Sequence, residues 1–340
     1  MCRDPPLPLA RLRVRGQMQE IRLHELQFTI PEITHFLHDS MDLDLPFCPI
    51  LTAYHNKEIS VMRTQYLHRP QGKIAYDDSE IGGELVIMLP GIGALRSEYR
   101  YLAPAVQQAG YRVVTADLRG HGESDATFSD YSLTAVGEDI LALIDHLDAG
   151  PAHLIGTSFS PGAAVYAAAE RPGTIRSLVL IGPFVRDPQM SSLQKLMTAL
   201  IFGGPWKVSA WGSYYKSLYP SQQPPDFDQY INQLKDTLRQ PGKSDAFKTM
   251  AMTPRVESEK RLQRVHTPAL VVMGTKDPDW PDPAAEAAWI ATQLDAETLL
   301  VEGAGHYPQT EMPEQTNPHI IRFLGRVAAD EAEDHVSPAV

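Results

Sequence analysis

The sequence predicts an α/β protein built on a mostly parallel β-sheet with helices on both faces. Three observations lead there. Apolar runs such as residues 85–89 (LVIML), 178–181 (LVLI) and 269–273 (ALVVM) show no alternation, so they read as strands covered on both sides. Between such runs lie segments whose apolar residues recur at helical spacing, as at Leu133, Val136, Ile140, Leu141, Ile144 and Leu147. The two kinds of segment alternate along the chain. That order demands right-handed crossovers and a parallel sheet.

In chain order, residues 60–66 and 74–76 read as two strands joined by a polar turn with Pro70 and Gly72. The strand at 85–89 stops at Pro90-Gly91. A helix is expected over 98–109, closed by Gly110. Strand 112–116, helix 133–147, strand 153–156, an alanine-rich helix 159–170 and strand 178–181 follow. After a long gap come strand 269–273, helix 283–294, strand 297–301 and a helix over 313–327. The gap, residues 186–265, is rich in aromatics and proline and reads as a helical cap inserted after the sixth strand. Most of its aromatics should form the cap's own small core. Trp206, Trp211 and Tyr215 are the ones expected to line a substrate pocket. The implied organisation is an N-terminal extension over 1–50, helical or partly disordered, a core over 51–185 and 266–328, and a disordered tail over 329–340.

Bulk properties narrow the function. A formal net charge of −12 opposes nonspecific attraction to nucleic acid or anionic lipid. No run approaches the length of a membrane span, and no secretory leader is visible, so a cytoplasmic protein is expected. The two cysteines, Cys2 and Cys48, imply neither a disulfide framework nor a metal site. No metal or organic cofactor is expected. The expected partner is a small, partly apolar substrate, and the oligomeric state is not legible.

Each chemically promising residue falls just after an expected strand, at the sheet edge where open α/β folds bind ligands. Gly156-Thr157-Ser158-Phe159-Ser160 lies between strand and helix, where a sharp turn would project the Ser158 hydroxyl above the sheet. Serine at 160 stands where this pattern usually ends in glycine. A serine hydroxyl needs a base, and His306 follows the last strand in Gly303-Ala304-Gly305-His306. The base needs a carboxylate, and Asp277 follows strand 269–273, with Asp279 its main rival. The backbone N–H groups of Phe159 and Ile92 are the expected oxyanion donors, because Pro90 has no N–H to give. His121, in Arg119-Gly120-His121-Gly122, reads as structural.

With LPGIG, DLRGHGESD, GTSFS, GTKDPDWP and GAGHYPQTEMPE in this order, residues 58–328 resemble the α/β-hydrolase superfamily. The resemblance implies an eight-stranded sheet, a lid between strands six and seven, and Ser158, Asp277 and His306 as a catalytic triad. Many relatives carry His-Gly where this chain has Pro90-Gly91. Serine at 158 speaks against the epoxide- and haloalkane-cleaving members, which use aspartate there. A serine hydrolase working through an acyl-enzyme on an ester or related acyl bond is the expected activity. A slow-turnover ligand sensor and an acyltransferase or perhydrolase are the alternatives. Residues 3–45 resemble a fragment of the LuxR-type ATP-dependent transcriptional regulators, without a G-x-x-x-x-G-K-[ST] loop that would carry ATP use. Within them Thr29 and Glu32 form a candidate capping box ahead of Ile33, Phe36 and Leu37.

Overall fold

The computed structural model of the chain describes residues 11–14, 17–20, 62–188 and 203–336. The chain divides into two compact units, residues 1–58 and 59–340. Of the first, only a hairpin is described: β1 (Arg11–Val14) pairs antiparallel with β2 (Gln17–Glu20), Val14 opposite Gln17. The extension was expected to be helical or partly disordered, so this piece differs. Its local pattern explains why: Leu12 and Val14 alternate with arginines at a period of two, and a two-residue connection ends in glycine. The candidate capping box at Thr29 lies outside the described residues.

The second unit is built on β3 (Arg63–Arg69), β4 (Gly72–Asp78), β5 (Leu85–Leu89), β6 (Arg112–Ala116), β7 (Ala152–Thr157), β8 (Ile175–Ile181), β9 (Ala269–Gly274) and β10 (Glu297–Val301). They form one eight-stranded sheet in the order β10-β9-β8-β7-β5-β6-β4-β3. Only the β3–β4 and β4–β6 pairings are antiparallel. The helices are α1 (Leu102–Gln108), α2 (Leu133–Leu147), α3 (Ser160–Glu170), α4 (Lys207–Ser217), α5 (Phe227–Leu238), α6 (Lys243–Ala251), α7 (Val256–Glu259), α8 (Pro283–Leu294), α9 (Pro308–Glu311) and α10 (Pro313–Val336).

Strand β5 shows why its apolar run does not alternate. Leu85, Ile87 and Leu89 pack on one face with Leu133, Ile140 and the alanines of α3. Val86 and Met88 pack on the other with Leu102 and Val106 of α1 and Ile320, Phe323 and Leu324 of α10. Each such side chain removed from water contributes about 1.5–3 kcal/mol. The central strands are therefore fixed from both sides, and their carboxyl ends make a firm platform.

Element boundaries differ from expectation where local sequence is ambiguous. The expected helix at 98–109 is a 3-10 turn over Arg96–Tyr99 followed by α1. The last helix continues to Val336, into the segment expected to be a disordered tail. Its Ala- and Glu-rich sequence favours helix strongly enough to carry it on. Helices α4–α7 occupy the gap between β8 and β9; residues 189–202 of that gap lie outside the described residues. Among the described residues no helix is long and apolar enough to cross a membrane.

The DLRGHGESD stretch is a structural knot below the site. The Arg119 guanidinium donates to both oxygens of Asp139 at 2.7 Å and to the carbonyls of Asp130 and Ala135 at 2.7 and 3.0 Å. His121 is buried, its Nδ1 3.0 Å from the Arg119 carbonyl, and burial lowers its pKa to about 4. A neutral packing histidine fits the reading made of it. Asp139→Ala should destabilise the fold by about 3–5 kcal/mol, since it strands a buried guanidinium. Chemical denaturation measures this, and a loss under about 1 kcal/mol would mean the pair is dispensable.

Candidate active site

Ser158 sits between β7 and α3 with φ +62°, a left-handed conformation that a non-glycine residue adopts only under constraint. Two backbone bonds impose it: the Ser158 N–H donates to the Ile181 carbonyl at 2.8 Å, and its carbonyl accepts from Phe184 N–H at 2.9 Å. Ser158 keeps partial exposure while Thr157, Phe159 and Ser160 are buried. The turn thus lifts one hydroxyl out of an otherwise closed strand-to-helix connection. Phe159 follows as the N-cap residue of α3, where helix N–H groups and the macrodipole favour negative charge.

The serine at 160, in place of the usual glycine, has a definite consequence. The Ser160 hydroxyl donates to the Pro90 carbonyl at 2.5 Å, tying the elbow to the loop that follows β5. That loop approaches Ser158 closely: a Cβ placed on Gly91 would lie 2.8 Å from the Ser158 Cβ, and 3.4 Å from its Oγ. Only glycine fits at 91. Trp211 of α4 donates its indole N–H to the Gly93 carbonyl at 3.0 Å, and Leu95 N–H donates to the Tyr230 hydroxyl of α5 at 3.1 Å. The loop holding Ile92 is therefore fixed by the elbow beneath and by the inserted helices above.

His306 is buried, and its Nδ1 stands 2.7 Å from Asp277 Oδ2 and 3.5 Å from Asp279 Oδ2. Asp277 is the closer and more buried partner; its other oxygen accepts from Asp279 N–H at 3.0 Å. Asp279 in turn accepts from the Tyr214 hydroxyl of α4. Burial would lower the histidine pKa, but the charges of Asp277 and Asp279 and the hydrogen bond to Asp277 outweigh it and raise it to about 9. Burial, together with the neighbouring Asp277 charge, pushes the Asp279 carboxyl up. Nε2, the nitrogen opposite the carboxylates, is buried and bonded to no described protein group. The ring lies against the turn that also fixes Ser158: a Cβ on Gly182 would meet it at 2.9 Å, and Gly182 follows the Ile181 that binds the Ser158 N–H.

The histidine loop is itself held by Glu311 of α9. One Glu311 oxygen accepts from Gly305 N–H at 2.6 Å, the other from Ser221 and Gln222 N–H at 2.8 and 3.1 Å. Asp277, Asp279 and His306 each offer a donor atom within 4.8 Å of the others, as a metal ion would need. A metal there would compete for the same Nδ1 that Asp277 engages.

Ser158, Asp277, His306 and the loops carrying Phe159 and Ile92 thus gather at the carboxyl ends of β5, β7, β9 and β10. Of the aromatics proposed for the pocket, Trp211 and Tyr215 are buried, Tyr215 stacking on Tyr307 with ring centroids 5.0 Å apart. Trp206 is 54% exposed at the start of α4. Sequence reasoning missed Ser160 as a loop tie, Tyr214 beside Asp279, and Phe184, whose ring lies 5.9 Å from that of His306. Glu311 sat within the quoted GAGHYPQTEMPE stretch, and its place after the histidine was the available signal.

The chain belongs to the alpha/beta hydrolase family, whose model matches residues 86–318. It is 28% identical over 261 residues to the dihydrolipoyllysine-residue acetyltransferase component of the acetoin cleaving system of Pseudomonas putida, covering 72% of this chain and 64% of that one. The chain therefore spans less than two thirds of that relative. It is 26% identical to a 2-hydroxy-6-oxononadienedioate/2-hydroxy-6-oxononatrienedioate hydrolase of Burkholderia vietnamiensis, covering 75% of this chain and 91% of the relative. A pimeloyl-[acyl-carrier protein] methyl ester esterase of Neisseria meningitidis is 29% identical, with 66% and 86% covered. Among solved structures, a bromoperoxidase from Bacillus anthracis superposes with a TM-score of 0.68 at 17% identity, over 77% of this chain and all of that one, a likeness of fold. These relatives are hydrolases in part and differ in substrate.

Two outcomes test the site. An NMR titration of His306 should give a midpoint near 9, and Asp279→Asn should move it down by removing one of the raising charges; an unmoved midpoint would mean the second carboxylate is not felt. Ser160→Ala should cost about 1–3 kcal/mol of stability by leaving the Pro90 carbonyl buried without its donor, which thermal or chemical melts would read.

Proposed function

We propose that this protein is a serine hydrolase that cleaves a carboxylic ester or related acyl bond through an acyl-enzyme. The observation that carries the reading is the strained Ser158 turn beside a buried histidine paired with Asp277. Turning of the serine side chain toward Nε2 forms the hydrogen bond through which the hydroxyl loses its proton. Oγ then attacks the substrate carbonyl, and the resulting oxyanion is met by the N–H groups of Phe159 and Ile92. His306 returns the proton to the leaving group, leaving the acyl ester on Ser158. Water, deprotonated by His306, hydrolyses that ester and restores the enzyme. Asp277 holds the imidazole by Nδ1 throughout and stabilises its cation.

The buried aromatic wall of Trp211 and Tyr215 suits a partly apolar substrate. The esterase relative supports an ester. The oxononadienedioate hydrolase relative supports a second electrophile, the carbonyl of an oxo-acid, with the same residues in the same roles.

The deciding experiment is a panel of nitrophenyl esters, lactones and an oxo-dienedioate, run on wild type and Ser158→Ala. Turnover should fall on the order of 10⁴-fold or more in the variant, and a fluorophosphonate should label only the wild type. Equal labelling of both would remove Ser158 as nucleophile. Product limited to one equivalent would favour a ligand sensor, to which the regulator-like residues 3–45 would then be relevant. Preferential transfer to added alcohol or peroxide would favour an acyltransferase or perhydrolase.

A further inference from the structure

A carboxyl group outside the triad lies at the meeting point of all three catalytic loops. Glu98, in the 3-10 turn after β5, is fully buried, and among the described residues no lysine or arginine forms an ion pair with it. One carboxyl oxygen accepts from Gly91 N–H at 3.4 Å, one residue before Ile92. The other accepts from the Gln309 side-chain amide at 2.5 Å, three residues after His306. That amide also reaches the Thr157 hydroxyl at 3.4 Å, directly before Ser158, and the Thr310 hydroxyl donates to the Glu98 carbonyl at 3.1 Å. Thr157 is held in turn by Tyr99, hydroxyl to hydroxyl at 2.8 Å.

Burying an unpaired carboxyl is costly, and packing alone would be served by an apolar side chain. What an apolar side chain would not do is accept two hydrogen bonds from loops that must stay in register. We propose that Glu98 is a positioning residue for the reaction at Ser158: its carboxylate holds the Gly91 N–H, and with it the Ile92 N–H, in line with the nucleophile and the histidine loop. The inference rests on the serine-hydrolase reading above.

The ionisation of Glu98 decides how well it holds. The carboxylate accepts from both loops with charge assistance. The acid must turn one oxygen into a donor. Gln309 Oε1, buried and without a partner, is there to receive that proton once the amide reverses, which takes the amide donor away from Glu98 and weakens the grip on Gly91. The groups facing Glu98 are Tyr99 and Arg100 from its own turn, His306 and Tyr307 from the loop after β10, and Tyr215, Tyr219 and Tyr230 from the inserted segment. Burial pushes the carboxyl up to about 7, against the lowering bonds from Thr157 and Gly91.

The test is kcat and KM against pH on the best ester, for wild type and Glu98→Gln. In wild type, log kcat/KM should rise with unit slope between about 7 and 9 as His306 loses its proton, and more steeply below 7, where Glu98 is protonated as well. Glu98→Gln should lower kcat about tenfold at pH 8, the gap between a charge-assisted and a neutral hydrogen bond, with KM within twofold and unit slope down to pH 5.5. Wild-type kcat and an unaltered profile in that variant would overturn the proposal. So would a wild-type profile with no steepening below 7, which is readable even if the variant does not fold. Failure of the serine-hydrolase reading shows separately, as fluorophosphonate labelling that survives Ser158→Ala.

Discussion

The site depends on one strained residue. Ser158 is held left-handed by a bond from its N–H to Ile181 and a bond to its carbonyl from Phe184, both from the end of β8 and the loop beyond it. The strain is tolerable because β7 and β8 are packed on both faces, so the platform does not relax to relieve it. Release either bond and the hydroxyl would sink toward the helix. The loops of the candidate site are then arranged around a point that the sheet itself fixes.

Two departures from the usual pattern of this fold turn out to be connected. Proline at 90 cannot donate, but it has a carbonyl, and serine at 160 supplies the hydroxyl that binds it. Together they make a bond between the elbow and the loop after β5 that glycine at 160 could not form.

Much of this was legible in the sequence. Strands 85–89, 112–116 and 297–301, and helices 133–147 and 283–294, agree with the structure to the residue, because apolar period and flanking glycine or proline left no competing solution. Ser158, Asp277 and His306 could be singled out as candidates because each follows a strand whose end the apolar pattern marks. The hairpin of the extension and the end of α10 were misjudged where short-range propensity, not burial, decides. Glu98 was invisible for a similar reason. A lone acidic residue in a polar-looking turn reads as surface, and only the convergence of three distant loops buries it.

The bonds from Trp211 to Gly93 and from Leu95 to Tyr230 join the inserted helices to the backbone of the loop that carries Ile92. The inserted helices and the loop after β5 are thereby one mechanical unit. Grafting the insertion of another hydrolase onto this sheet would exchange more than a roof over the substrate. It would withdraw two struts from the loop after β5, so changes to this scaffold that are meant to keep that loop in place have to leave that indole and that phenol untouched.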